Sequence, residues 1–128
     1  MIAYSGLQYP LIGIVSTRAF IRKDPETVRN FLRAYTEGTH RFFREKTLAM
    51  KVIGAYTKTE DPEILESAYA YATQFIAKIP RPPSAGVEHM LQEIARTRPE
   101  ARGRRAEEFV DARLFDDLEA RGFFKSFQ

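Results

Sequence analysis

Residues 10–18 read Pro-Leu-Ile-Gly-Ile-Val-Ser-Thr-Arg, an apolar, β-branched run with the composition of a β-strand. In an extended backbone Leu11, Gly13, Val15 and Thr17 face one way and Ile12, Ile14 and Ser16 the other. Both faces begin apolar, as in a strand covered by helices on each side. Almost everything downstream has the 3.6-residue periodicity of helix, and the only other stretch of strand character is a short one at residues 2–4. A lone strand leaves its N–H and C=O groups unpaired. The expectation is a mainly α chain with one or two N-terminal β-strands whose sheet partners belong to a larger protein. Gly13 lets another backbone or a ligand come close, and a simple packing glycine is the ordinary explanation of it.

The apolar share is 44%, enough for one core and no more at 128 residues. Twelve per cent aromatic residues, all Phe and Tyr, argue against disorder. A formal charge of +3 is too small an excess for a nucleic-acid binder, which needs a concentrated basic face. With no cysteine, disulfides, thiolate chemistry and Cys-ligated zinc are excluded. The first twenty residues lack a basic segment followed by an apolar one, so no signal peptide is expected. Nor does any segment reach the roughly 20 apolar residues of a membrane span.

About five helices are expected. Asp24-Pro25-Glu26 opens the first: the Asp carboxylate accepts orphan N–H groups, Pro at the first position forgoes a donor that has no use, and Glu suits the positive helix end. Val28, Phe31, Leu32, Tyr35, Thr39, Phe42 and Phe43 follow on one face, with Arg29, Asn30, Arg33, Glu37, Arg41 and Arg44 opposite. Gly38 within this helix suggests close packing against a neighbour. A second, short helix from about Thr47 to Thr57 uses Leu48, Ala49, Val52, Ile53 and Tyr56. Asp61-Pro62-Glu63 repeats the start signal for a third, with Ile64, Leu65, Ala68, Tyr69, Ala72, Phe75 and Ile76 as the most regular stripe in the chain. Pro80, Pro82 and Pro83 force an extended connector, and Ser84 offers an N-cap for a fourth helix carrying Val87, Met90, Leu91, Ile94 and Ala95. Beyond Pro99 a polar, arginine-bearing loop leads to Phe109, Val110, Leu114, Phe115 and Leu118, one bent or two short helices stopped by Gly122.

The ordered series Gly13 to Ile21, Asp24 to Tyr35, Glu37 to Phe42, Asp61 to Glu66, the proline-broken Ile79 to Pro83, Gly86-Val87, Phe109-Val110-Asp111 and Leu118 to Phe123 resembles the C-terminal part of ABC-transporter solute-binding proteins of the nitrate, sulfonate and taurine type. These are related to the thiamine-pyrimidine-precursor synthesis proteins. The resemblance covers nearly the whole chain in order, although no single motif in it is specific. It implies a C-terminal fragment of a type II periplasmic-binding-protein α/β fold, two lobes closing on a small solute. Residues 1–18 would then be hinge and crossover strand, and 19–128 the helical flank of one lobe. The implied parent is periplasmic or extracytoplasmic, and its partners are a small solute, an ABC permease and the N-terminal portion missing here.

Closure around a solute needs a hinge, which places the ligand-contact candidates in the stretch before the crossover strand. Tyr9 could stack on a solute, Gln8 could supply an amide, and Pro10 could fix the entry angle. An ordinary loop with a packed tyrosine is the plainer explanation. His40 and His89 have no second histidine at a metal-ligand spacing such as His-x-x-x-His, so no metal is expected, and no other cofactor is expected either. The reactive-histidine motif that the precursor-synthesis branch would imply has no match. Arg96, Arg98, Arg102, Arg104 and Arg105 form the densest basic cluster, diluted by Glu93, Glu100, Glu107 and Glu108 to a mixed-charge loop. No nucleophile elbow, P-loop or dinucleotide fingerprint occurs, and the adjacent Asp116 and Asp117 point in different directions on a helix. The reading is a non-enzymatic, mainly structural segment of a solute-binding protein. A rival is a free-standing helical interaction domain, since the Asp-Pro-Glu start occurs twice at a spacing near that of helical-pair solenoids. An apolar ribbon with open edges also predicts self-association of the isolated chain.

Overall fold

A computed structural model describes residues 13–127. Within that range the protein is mainly helical: α1 Arg18–Lys23, α2 Pro25–Arg44, α3 Lys46–Thr57, α4 Pro62–Phe75, α5 Ser84–Ile94 and α6 Arg113–Ala120, with short 3-10 turns at Pro99–Ala101, Ala106–Glu108 and Phe123–Phe127. The five expected helices are present. The sixth, α1, fills the interval between the expected strand and the Asp24 helix start.

The described part of the expected strand is not one. Residues 13–17 have no regular structure, and Ile14 is 38% and Val15 92% exposed. Thr17 keeps an extended backbone, φ −79° and ψ 147°, but uses it as the N-cap of α1, its hydroxyl accepting the Phe20 N–H at 3.1 Å. The physical reason is the one that made the run conspicuous: a strand needs a ladder partner, and no strand occurs among the described residues. The stretch at 2–4 and residues 10–12 of the run lie outside the described residues.

Asp24 joins two helices. Its N–H closes α1 on the Phe20 carbonyl at 2.9 Å, while its carboxylate takes the Thr27 N–H at 3.0 Å and the Thr27 hydroxyl at 2.6 Å at the start of α2. Asp61 does the same service for α4, accepting from the N–H groups of Glu63 and Ile64 at 2.9 and 3.2 Å. At the other start the expectation fails: Ser84 is already the first residue of α5, and Pro83, which precedes it, gives no side-chain cap.

The chain clusters into two compact units. Residues 13–29 with Arg81–Phe123 make the first. Here α5 packs against the turns Pro99–Ala101 and Ala106–Glu108, and the buried apolar side chains are Leu91, Ala106, Phe115 and Leu118. Phe109, assigned by its apolar character to a helix, is 59% exposed at the end of a turn, and α6 begins only at Arg113. Gly122 supplies the expected stop with φ 77°, its N–H on the Glu119 carbonyl at 2.8 Å.

Asn30–Pro80 with residues 124–127 make the second unit, in which α3 packs on α4. Ala49 of α3 and Phe124 are its buried apolar residues. Gly54 permits the tight end of α3: a Cβ there would stand 2.8 Å from the Thr59 carbonyl oxygen and 3.4 Å from Leu65 Cδ2. Lys58, at φ 55°, then ends the helix in the left-handed region, its N–H returning to the Gly54 carbonyl. On α2 the most buried residues are not the aromatic ones. Thr36 and Thr39 are buried, and Phe31 is 55% exposed. Burial of the Thr36 hydroxyl is inexpensive because it bonds within its own helix, to the Leu32 carbonyl at 2.8 Å. Gly38, read as a sign of close packing, has nothing within 4 Å of where a Cβ would be.

Candidate functional site

The first unit carries its chemistry in ion pairs on α6. Asp117 holds Arg29 of α2 at 3.0 Å and Arg121 of its own helix at 3.0 Å. The adjacent Asp116 turns instead to Arg81 at 3.3 Å, and Glu119 also binds Arg81. The two aspartates thus diverge, as their adjacency on a helix requires, and each carboxylate is committed to a guanidinium. Arg81 sits between the connector prolines with its guanidinium carbon 4.7 Å from the centroid of the Phe115 ring. Glu119 chiefly, and Asp116 to a lesser degree, strengthen its hold on its proton.

The basic loop is largely self-neutralised. Arg96 pairs with Glu93 at 2.9 Å, Arg104 with Glu108 at 2.6 Å and Arg105 with Glu107 at 3.1 Å. Glu108 also accepts the Arg105 N–H at 2.9 Å, the main cause of a carboxyl pKa below the ordinary glutamate value. Glu107 is lowered too, first by a backbone hydrogen bond and then by Arg105. Glu88 of α5 fixes the loop's far end by accepting the Ala106 N–H at 2.9 Å. Such interlaced charge leaves little net field for a polyanion.

The second unit carries two shallow, open depressions. One is lined by Met50, Pro62, Glu63, Glu66, Ser67 and Ala70, the other by Arg44 to Leu48 and Lys51. Lys46 borders both through its ion pair with Glu66, and its ammonium lies 5.5 Å from the Tyr69 ring centroid. Neither depression encloses a ligand as a working pocket does. The rings of Tyr71 and Phe75, both on α4, lie 4.5 Å apart at a 47° tilt, with Tyr71 65% exposed.

Of the histidines, His40 of α2 meets the edge of Phe127 with ring centroids 5.0 Å apart, and His89 is half-buried on α5. Among the described residues no cluster of three or more His, Asp or Glu side chains could hold a metal ion, and no helix is long and apolar enough to cross a membrane. Gln8, Tyr9 and Pro10, the ligand-contact candidates, lie outside the described residues. Sequence reasoning missed Arg81, whose role as an anchor was signalled only by a guanidinium placed between prolines. Comparison of the chain with protein-family models, curated proteins and solved structures finds no match.

Proposed function

We propose that this chain is part of an extracytoplasmic solute-binding protein of an ABC transporter, one whose parent captures a small solute of the nitrate, sulfonate or pyrimidine-precursor kind and passes it to a permease. Its fold would be the helical flank of a type II binding-protein lobe. The segment acts as scaffold and catalyses nothing. Any solute contact it makes comes from Gln8, Tyr9 and Pro10, ahead of the crossover.

One observation carries this reading. A segment containing the β-branched Ile14 and Val15, residues 13–16, stands exposed with no backbone hydrogen bond to any described residue, directly before a series of helices of which α1, α2 and α4 carry side-chain N-caps. Helices built to flank a sheet, next to a ribbon fit to join one, are what a lobe shorn of its sheet would leave. A free-standing solenoid is the weaker reading, because its two repeats would be unequal. Only Glu45 separates α2 from α3, whereas residues 76–83 separate α4 from α5, and α2 has 20 residues to the 14 of α4.

Gene deletion in the host strain tests the proposal. Uptake of labelled nitrate, alkanesulfonates and pyrimidine precursors is measured with and without the gene. Loss of one solute class, restored by the gene on a plasmid, is the expected result; unchanged uptake of all three overturns the proposal.

A further inference from the structure

We draw no further inference here: the strongest candidate, the face of α2 on which Phe31, Ala34 and Gly38 are exposed with open space over the glycine, has nothing in the structure to show what covers it.

Discussion

The guanidinium of Arg81 lies over the ring of Phe115, 4.7 Å from its centroid, and Phe115 is itself among the most buried side chains of the protein. The residue therefore does more than make surface ion pairs with Asp116 and Glu119, which in isolation contribute little. Its flat cation covers an aromatic face while two carboxylates fix its orientation, and only arginine combines the two. Arg81→Gln should loosen the proline connector, so that trypsin cuts after Lys78 several-fold faster while the helical circular dichroism stays unchanged. Arg81→Lys, which keeps the charge and loses the planar fork, should fall between. An unaltered cleavage rate in Arg81→Gln would show that the prolines alone hold the segment.

Asp61 presents a cleaner case of local chemistry. Its carboxylate satisfies two of the orphan N–H groups of α4, at Glu63 and Ile64. Asp61→Ala should cost about 1 kcal/mol of stability, the usual loss for an N-cap. Asp61→Asn, which keeps the acceptor, should cost much less. Urea unfolding followed at the helical band separates the two outcomes.

Acid should destabilise the fold through a small set of carboxylates. Asp24 is held below its ordinary 3.8 by the Thr27 hydroxyl first and the Thr27 N–H second, and Asp111 by the Arg113 side chain. A carboxyl whose pKa is depressed in the folded state contributes stability above the unfolded value and loses it as pH falls through the folded one. The loss should therefore begin as pH drops toward 3.8 and continue below it. Asp24→Asn keeps an acceptor but cannot titrate. Its stability deficit relative to the parent should be largest near neutral pH and shrink in acid. A deficit constant with pH would remove Asp24 from the account.

These caps were legible in the sequence because they depend on groups within three residues of one another. The Asp-Pro-Glu starts at 24 and 61 and the Gly122 stop needed no knowledge of the fold. Burial was a different matter. Phe31 and Ile64 sit at apolar positions of regular stripes yet are each 55% exposed, since a stripe says which face is apolar and not whether anything lies against it. Thr36 was hidden for the opposite reason, its hydroxyl being satisfied inside the helix. Helix α1 was missed because Thr17 suits a strand end and an N-cap equally well. The Arg81 contacts join residues 35 and 38 positions apart, which no local pattern reports.

Two glycines in helices should respond to alanine with opposite signs. Gly38 has open space where a Cβ would go, so Gly38→Ala gains the helix propensity of alanine and should stabilise the chain by about 0.5–1 kcal/mol. Gly54 has the Thr59 carbonyl oxygen 2.8 Å from that point, a backbone atom that cannot step aside without moving the turn into α4. Gly54→Ala should lower the melting temperature, and a rise would mean that the α3–α4 turn yields more readily than its geometry suggests.

Val15 offers the most direct test of whether the N-terminal ribbon seeks a sheet. It is 92% exposed in a segment where Ile14 and Thr17 also favour extended backbone. An unpaired apolar strand edge invites pairing between copies, and natural sheet edges avoid this by carrying lysine. The isolated chain should therefore associate as its concentration rises. Light scattering should show a mass above the 14.8 kDa of one chain, with added extended signal in the infrared amide band. Val15→Lys should return it to a monomer, whereas Val52→Lys, at an exposed position on α3, should not. If the parent chain is already monodisperse at high concentration, or if both variants behave alike, the ribbon is inert and does not seek a sheet.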